Sequence, residues 1–258
     1  MQKAILITGC SSGIGLAAAH DLRNRGYRVL AACRKTADLE NLQNLGFETV
    51  ELDLDDRHSV ARAAAQVIEL TGNRLYALFN NAGYGIYGPL HTVSREQFEQ
   101  QFSTNLFGTH QLTQLLLPAM LAHAEGRIIQ TSSVMGLVTT PNRGIYAASK
   151  FALEAWSDTL RMELHGTGIY VSLIEPGPLH SNFTQNVKQT QADKPIINPG
   201  MAEKFTLGPE AVLPKLRHAL DSRQPKLRYP VTLIAHGLSV LRRLLPGRLL
   251  DIVLRGNS

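Results

Sequence analysis

Cysteine, tryptophan and long apolar runs are scarce in this sequence. Its 258 residues contain two cysteines, Cys10 and Cys33, and one tryptophan. Two cysteines give no disulfide framework, so we expect a reducing compartment and interpret both as small residues beside the first turn. No apolar run approaches the roughly 20 residues that a membrane-spanning helix needs. The first strand begins directly after residues 1–3, which leaves no room for a signal peptide and predicts a cytoplasmic protein.

Patterns for metal and nucleic-acid chemistry are also lacking. The nine histidines have no spacing with carboxylates or thiols that is typical of zinc ligands, so no metal site is predicted. The net charge of +5 and the pI near 9.3 raise the question of a nucleic-acid partner. No basic run has interleaved aromatic residues, so we expect no nucleic-acid binding and interpret the charge as a solvated surface.

A glycine-rich turn follows the first apolar segment. Residues 4–7 predict a short buried strand, and residues 16–22 have the apolar spacing of a helix. Between them lies the run Thr8-Gly9-Cys10-Ser11-Ser12-Gly13-Ile14-Gly15. Its glycines permit a tight turn and let a phosphate approach the backbone at a helix N-terminus. A plain tight connection is the alternative, but this position in the chain favours a dinucleotide site.

A tyrosine and a lysine four residues apart, Tyr146 and Lys150, form the second pattern, with Ser132 and Ser133 upstream. Residues i and i+4 share one face of a helix, so the phenol and the ammonium point into the same space. A phenol titrates near pH 10, and a neighbouring cation favours its phenolate form. The pair therefore suits proton donation to a carbonyl, although such pairs also occur on solvated helix faces. Chemistry alone leaves open which serine faces a substrate.

Strands and helices alternate along the chain. Predicted strands cover residues 4–7, 27–33, 48–54, 75–79, 127–131 and 169–174. Predicted helices cover residues 16–22, 59–70, 146–164 and 209–220, and a capping box at Ser94 and Gln97 begins a long helix to about residue 121. This alternation predicts an α/β fold with a doubly wound parallel sheet, a Rossmann fold, in a single domain. Ligands of such sheets bind at the carboxyl ends of the strands, where both patterns fall.

Further motifs follow in order, and together they carry a family resemblance. They are Asn80-Asn81-Ala82-Gly83, Asn105, Ser133 with Tyr146 and Lys150, and Pro176-Gly177-Pro178. The first turn has the spacing G-x-x-x-G-x-G instead of the usual G-x-G-x-x-G. The chain resembles the shorter, single-domain branch of the short-chain dehydrogenase/reductase family over nearly its whole length. Within it, the chain is most similar to NADP-dependent aldehyde reductases and to retinol or 17β-hydroxysteroid dehydrogenase-like members.

The resemblance implies roles for the motif residues. Tyr146 is the proton donor, Ser133 holds the carbonyl oxygen, Lys150 favours the phenolate, and Asn105 holds a water that connects Lys150 to solvent. Asn81 has a structural role in the central strand, and Ser132 is interpreted as structural. Cofactor contacts are implied for Gly9, Gly13, Ile14 and Gly15 at the turn, Asp53 and Leu54 at the adenine, Asn80, Ala82 and Gly83 at the adenosine ribose, Tyr146 and Lys150 at the nicotinamide ribose, and Pro176 and Gly177 at the nicotinamide.

The end of the second strand bears on the choice of cofactor. A carboxylate there would bind the ribose hydroxyls of NAD, whereas an arginine accommodates the 2′-phosphate of NADP. The sequence places Arg34 and Lys35 at this point, with no carboxylate before Asp38. Arg34 can present a planar fork to a phosphate, and Ser11 and Ser12 can add hydroxyl contacts. We therefore predict NADP(H), with a solvated basic turn as the alternative.

The predicted function is an NADP(H)-dependent reductase of aldehydes or ketones that also runs as an alcohol dehydrogenase, on hydrophobic medium- or long-chain or retinal-like substrates. A steroid or other secondary-alcohol dehydrogenase is one alternative. Epimerases and dehydratases with a similar Tyr/Lys pair typically have another glycine spacing and a longer C-terminal half. A catalytically silent NADPH-binding sensor is a further alternative, but it has no need for the tyrosine. The resemblance also implies a homodimer or homotetramer.

Two segments bear on the substrate. Residues 179–206 are polar and proline-containing, and we interpret them as a flap over the substrate. Residues 230–258 form an amphipathic extension in which leucines recur at helical spacing beside Arg242 and Arg243. This extension either packs on its own domain, closes the pocket or meets another subunit, or it makes a weak contact with a membrane surface.

Overall fold

Seven parallel strands form the centre of the molecule. The computed structural model describes residues 2–180, 183, 187–189 and 206–255. The strands of this sheet are β1 (Ala4–Thr8), β2 (Arg28–Cys33), β3 (Glu48–Glu51), β4 (Leu75–Asn80), β6 (Gly126–Thr131), β7 (Ile169–Glu175) and β9 (Arg228–Pro230). They lie in the order β3-β2-β1-β4-β6-β7-β9, so the chain reverses its direction of strand addition between β1 and β4. A doubly wound sheet binds ligands at this switch point.

Helices cover both faces of the sheet, as the alternation of elements predicts. They are α1 (Gly13–Asn24), α2 (Thr36–Asn44), α3 (Arg57–Thr71), α4 (Arg95–Phe102), α5 (Thr109–Leu121), α6 (Gly144–Glu163) and α7 (Leu213–Asp221), with α8 (Leu233–Leu244) and α9 (Gly247–Arg255) at the end of the chain. One apolar core lies between the sheet and α1, α2 and α7. A second core lies between the sheet and α3, α5 and the end of α6. The doubly wound prediction is confirmed.

Two strand predictions needed correction. The third strand ends at Glu51 and does not continue to residue 54, because the backbone N–H of Asp53 turns away to bond Ser59 Oγ at 3.0 Å. The edge strand β9 was missed. It has three residues and ends in Pro230, so it shows no alternation that a sequence pattern can detect.

The long predicted helix begins where expected but is not one regular helix. The capping box of Ser94 and Gln97 is confirmed. After α4 the chain forms a π-helical segment, Ser103–Gly108, before α5 continues to Leu121. Such segments accommodate one extra residue per turn and are frequent at functional sites. The predicted Asn105 lies inside this segment.

A small second sheet includes part of the region predicted to form a flap. Strand β5 (Ile86–Tyr87) pairs in parallel with β8 (Lys188–Gln189), and Leu179 pairs with Leu207 in an isolated bridge. Residues 181–182, 184–186 and 190–205, which make up most of the predicted flap, lie outside the described residues.

The C-terminal extension forms two helices where the sequence suggested one. Pro246 lies between α8 and α9, and the break follows because proline cannot continue the hydrogen bonds of a helix. Over the described ranges, none of the helices combines the length and the apolar content that crossing a membrane requires.

Candidate active site

The glycine-rich turn connects β1 to α1 at the switch point of the sheet. Gly9 and Gly13 have φ angles of 73° and 59°, which side chains disfavour. A Cβ on Gly9 would lie 2.9 Å from Ala82 Cα, and a Cβ on Gly15 would overlap the carbonyl oxygen of Gly9. The turn is therefore held against the end of β4 with no room for side chains, which leaves its backbone accessible to a phosphate.

The start of α1 is suited to an anion. Ser12 is the N-cap residue, and its side chain makes no capping hydrogen bond within the described part of the chain. Ser11 is exposed, while Ile14 packs against the core on the side of α1. The N–H groups of the first helical turn and the two hydroxyls are thus positioned to meet a ligand phosphate.

The ends of β1, β4 and β6 are joined by a side-chain network. Thr8 Oγ1 accepts hydrogen bonds from the backbone N–H groups of Asn81 and Ala82, each at 2.9 Å. Asn81 Nδ2 donates to the carbonyl of Thr8 at 3.0 Å, and Thr131 Oγ1 donates to Asn81 Oδ1 at 3.2 Å. Asn81 thus uses its Nδ2 to contact β1 and its Oδ1 to contact β6, which fits the structural role expected for it.

Asn80 turns its side chain away from the edge of the sheet. Its Nδ2 donates to Thr113 Oγ1 of α5 at 3.0 Å, and the residue is buried. Only its backbone is then available at the predicted ribose position. Ala82 and Gly83 lie further out on the same loop, and Gly83 is exposed.

The predicted adenine end of the site lies beside the ends of β2 and β3. Arg34 is exposed, and its Nε lies 4.0 Å from Asp53 Oδ2. Asp53 Oδ1 accepts from the backbone N–H of Asp55 at 3.0 Å, which fixes the loop after β3. Leu54 packs under Gly108, where a Cβ would overlap the Leu54 carbonyl oxygen. Lys35 is the N-cap residue of α2, next to Arg34.

Tyr146 and Ser133 meet where the end of β6 approaches the start of α6. The Ser133 hydroxyl is in hydrogen-bond contact with the phenol of Tyr146, and Ser133 Oγ also accepts from the backbone N–H of Met135 at 3.1 Å. Burial raises the pKa of Tyr146, and the contact with Ser133 opposes that rise. The rings of Tyr87 and Phe183 lie 5.9 and 5.5 Å from the Tyr146 ring, so the phenol lies in an aromatic enclosure.

Lys150 is buried one turn after Tyr146 on the same face of α6. Its Nζ donates to the carbonyl oxygen of Thr131 at 2.8 Å and lies 5.8 Å from the centroid of the Tyr146 ring. Burial lowers the pKa of Lys150 to about 8, while the carboxylate of Glu154 acts in the opposite direction. The predicted helical pairing of the tyrosine and the lysine is thus seen in the geometry.

Asn105 reaches this cluster because of the π-helical segment. Its Nδ2 donates to Ser149 Oγ at 3.1 Å and to the carbonyl oxygen of Tyr84 at 3.0 Å, and its Oδ1 accepts from the N–H of Tyr84. Asn105 and Lys150 do not bond each other directly, but both border Gly83. A Cβ there would lie 3.1 Å from Asn105 Oδ1 and 3.8 Å from Lys150 Nζ.

The predicted nicotinamide end is closed by the C-terminal part of the chain. Pro176 is buried, and a Cβ on Gly177 would overlap Thr232 Oγ1. Thr232 is the N-cap residue of α8, and its Oγ1 accepts from the N–H of Ala235 at 3.1 Å. The start of α8 therefore lies directly against the end of β7, and only glycine fits at position 177.

A partly buried ionic cluster behind the site was missed by the sequence reasoning. Arg228 Nε lies 3.0 Å from Glu154 Oε2 and 3.3 Å from Glu175 Oε1, and Arg228 Nη2 lies 2.6 Å from Asp158 Oδ2. Burial raises the pKa of Glu175 to about 8, with Glu154 adding to the rise and Arg228 opposing it. Glu154 is one helical turn beyond Lys150, the one sequence signal that relates this cluster to the predicted site.

A second missed residue is Gln101, one turn before Asn105. Its Oε1 accepts from the N–H of Ile86 at 2.7 Å and its Nε2 donates to the carbonyl oxygen of Tyr84 at 2.8 Å. It holds the chain after Gly83 against the helix that carries Asn105. No sequence signal distinguishes it from the neighbouring glutamines.

The residues present fit a dinucleotide. The turn at Gly9 to Gly15 is a cradle that a Cβ would fill, and the start of α1 faces it. The buried Ser133, Tyr146 and Lys150 lie at the other end of the same sheet edge. Fold and site together define an oxidoreductase of the Rossmann class. A family model described as short chain dehydrogenase matches residues 3–192. The chain therefore belongs to the short-chain dehydrogenase family, whose members act on alcohol or carbonyl groups.

Several relatives cover nearly the whole chain. The uncharacterised oxidoreductase YbbO of Escherichia coli K12 is 64% identical over 99% of this chain and 95% of its own length. An NADPH-dependent 3-dehydrocapnine reductase of Ornithobacterium rhinotracheale is 34% identical over 97% of this chain and 95% of its own. Retinol dehydrogenase 5 of Mus musculus is also 34% identical, over 97% of this chain and 87% of its own.

Solved structures show the same fold. A short-chain dehydrogenase from Streptomyces avermitilis has a TM-score of 0.83 at 28% identity, covering 98% of this chain and 94% of that one. A family member from Burkholderia phymatum in complex with NAD has a TM-score of 0.79 at 26% identity, covering 100% of this chain and 96% of that one. The use of NAD or NADP is therefore common to the family, and the choice between them differs among its members.

Proposed function

We propose that this protein is an NADP(H)-dependent carbonyl reductase, reversible as an alcohol dehydrogenase, that acts on hydrophobic medium- or long-chain or retinal-like aldehydes. The observation that carries the proposal is the contact between the Ser133 and Tyr146 hydroxyls, with the buried Lys150 one turn away on α6. A phenol in this setting has a hydroxyl partner to orient it and a cation near enough to stabilise its anion.

Each of these side chains has a defined task in the proposed reaction. The cofactor, when bound, supplies the hydride. Ser133 donates a hydrogen bond to the substrate oxygen, which holds the carbonyl beside the phenol. Tyr146 donates the proton that this oxygen needs as it becomes an alcohol, and Lys150 stabilises the phenolate left behind. Asn105 orients the loop at Tyr84 beside Lys150, on the path by which a proton from solvent would restore Tyr146.

Arg34 supports the preference for NADP(H). It is exposed at the end of β2, and the nearest carboxylate, Asp53, lies at 4.0 Å and is itself engaged by the backbone of Asp55. The guanidinium is thus free to turn toward a 2′-phosphate, with Lys35 as a second charge. The NADPH-dependent reductase among the relatives is in keeping with this choice.

Apolar side chains around Tyr146 support a hydrophobic substrate. Tyr87, Val134, Met135 and Val138 form a cluster with Tyr146, to which Phe183, Leu238 and Leu250 add apolar surface. The similarity to retinol dehydrogenase 5 agrees with an elongated apolar substrate. A sugar would find few polar partners in this cluster.

We further propose a homo-oligomer, a dimer or tetramer, in the cytoplasm. Large apolar side chains are exposed along α4, the π-helical segment and α5, among them Phe98, Phe107 and Leu115. Met162 at the end of α6 is exposed as well. Pairing of these helices between subunits would cover them. Both cysteines are buried free thiols, which agrees with a reducing compartment.

The test measures oxidation of NADPH and NADH in parallel against aliphatic, aromatic and isoprenoid aldehydes and steroid ketones. We expect turnover with NADPH, highest for apolar aldehydes, and its loss in Tyr146→Phe with NADPH affinity nearly unchanged. Activity retained by Tyr146→Phe would contradict the assigned proton donor. NADPH binding with no turnover over the whole panel would favour a silent sensor.

A further inference from the structure

The outward side of α8 carries a continuous apolar stripe. Leu233, Val240 and Leu244 are 78%, 53% and 72% exposed. They are spaced i, i+7 and i+11, which places them on one line along the helix, with Gly237 between them. Isolated exposed leucines are ordinary in proteins, but a line of three on one helix is a patch.

Helix α9 also carries exposed apolar side chains. Leu249 and Ile252 are 50% and 66% exposed. We call Leu233, Val240, Leu244, Leu249 and Ile252 the outer apolar face.

The core does not require this face, because both helices bury their other side. Ala235 and Leu238 of α8, and Leu250 and Leu254 of α9, pack against the apolar cluster that contains Tyr146. The two helices thus form a thin wall, with the proposed active site on the inside and the outer apolar face on the outside.

The positive charge of these two helices favours an anionic partner. Between residues 233 and 255 there are four arginines and one aspartate. Arg242 lies over the ring of Phe151, at 4.9 Å, and contacts the body of the protein. Arg243 and Arg248 are exposed at the borders of the apolar stripes, and the charge of Arg243 also opposes the rise in the pKa of the buried Glu175. Exposed arginines at such borders can reach anionic headgroups while the leucines enter the apolar layer.

We propose that the outer apolar face docks on the surface of a lipid bilayer with anionic headgroups, which places the wall of the active site at the membrane. A second copy of the chain fits the same surface less well. A two-fold contact brings the patch against itself, so the arginines at its borders would be gathered from both copies into one interface. As an inference about substrate, which rests on the proposed function, the docked enzyme takes apolar aldehydes that are dissolved in the bilayer.

The test is co-sedimentation of the full-length protein with vesicles. Vesicles of phosphatidylcholine mixed with phosphatidylglycerol are compared with vesicles of phosphatidylcholine alone. We expect binding to the anionic vesicles, weaker binding to the neutral ones, and a decrease at high salt, where charge attraction is screened. Loss of two apolar anchors in Val240→Ser/Leu244→Ser should lower the partition coefficient about tenfold or more. Arg243→Gln/Arg248→Gln should remove most of the preference for anionic vesicles.

A matched variant controls for the change of leucine to serine. Leu45 is an exposed leucine at the end of α2, far along the chain from the outer apolar face, and Leu45→Ser should leave vesicle binding unchanged. Turnover of a short, water-soluble aldehyde should be the same in Val240→Ser/Leu244→Ser as in the wild type. Turnover of a long-chain aldehyde supplied in anionic vesicles should fall with the partition coefficient.

The outcomes separate this inference from the proposed reaction. If the wild-type protein does not bind anionic vesicles, the docking proposal is wrong, whatever the activity of the protein. Docking of a protein that turns over no aldehyde supports the surface and counts against the reductase. If Val240→Ser/Leu244→Ser instead reduces the oligomer size in sedimentation velocity and the wild type does not bind vesicles, the face is a subunit contact and the proposal is wrong.

Discussion

Lys150 and Thr131 tie α6 to the end of β6, through the 2.8 Å hydrogen bond from the lysine Nζ to the threonine carbonyl oxygen. This bond holds the ammonium beside Tyr146 although its surroundings disfavour the charge. Since burial lowers the pKa of Lys150 to about 8, the lysine is cationic at neutral pH and loses its proton only slightly above it.

A fall in activity at alkaline pH follows from this arrangement. In the reductive direction, kcat/KM should decrease as the pH rises through about 8, because neutral Lys150 no longer stabilises the tyrosinate that forms. The measurement is the pH profile of kcat/KM with a saturating cofactor. Lys150→Met should be much slower and should lack this alkaline limb. A wild-type profile that stays flat to pH 10 would contradict the role given to the lysine.

Arg34 should determine the preference between the two cofactors. Arg34→Ser removes the one exposed guanidinium at the end of β2, so the KM for NADPH should rise by roughly 10- to 100-fold, the loss of a charge-assisted hydrogen bond. The KM for NADH should change little. Lys35→Ser, the neighbouring control, should have a smaller effect on NADPH. Equal losses with both cofactors in Arg34→Ser would indicate a structural role.

Gly177 and Thr232 should behave as a coupled pair. Gly177→Ala places a methyl group against Thr232 Oγ1 and should lower the free energy of unfolding by about 1–3 kcal/mol, the usual cost of overpacking. In Gly177→Ala/Thr232→Ala the clashing hydroxyl is gone, so part of the loss should be recovered relative to the sum of the single changes. Urea unfolding of all four proteins gives the coupling. Strict additivity would mean that the clash is relieved elsewhere.

Arg228 should be important for stability. Removing it leaves the buried Glu154 carboxylate without its cation, whereas Glu175, with its pKa raised to about 8, is mostly protonated near pH 7. Arg228→Met should therefore lower the free energy of unfolding by about 1–3 kcal/mol, the cost of leaving a buried polar group without its partner. Arg95 provides the comparison, because its pair with Glu99 is solvent-exposed and Arg95→Met should have no measurable effect. Denaturant titrations near pH 7 test both. An Arg228→Met protein as stable as the wild type would show that the cluster is neutralised by protonation instead.

Sequence reasoning identified the parts of the site that depend on local spacing. The pairing of Tyr146 with Lys150 follows from i and i+4 on one helix, and the glycine turn follows from its position after a first strand. The contacts of Arg228 could not be predicted from the sequence. This residue lies on a three-residue strand, far along the chain from its partners Glu154 and Glu175. The π-helical segment at Asn105 was missed for another reason. Its residues fit an α-helix equally well, and tertiary packing selects the wider turn.

Because of that wider turn, the number of residues between Ser94 and Leu121 affects the geometry of the site. Each residue of an α-helix adds about 100° of rotation about the helix axis. The extra residue therefore rotates the side chains of α5 relative to those of α4. With it, Gly108 packs under Leu54 while Asn105 still reaches Ser149. Deleting a residue there would restore the regular helical rotation between α4 and α5. The Asn105 amide would then turn away from the Lys150 side of the site. A change in length that a solvent-facing helix absorbs easily would here separate the contact of Asn105 with Ser149 from the contact of Gly108 with Leu54.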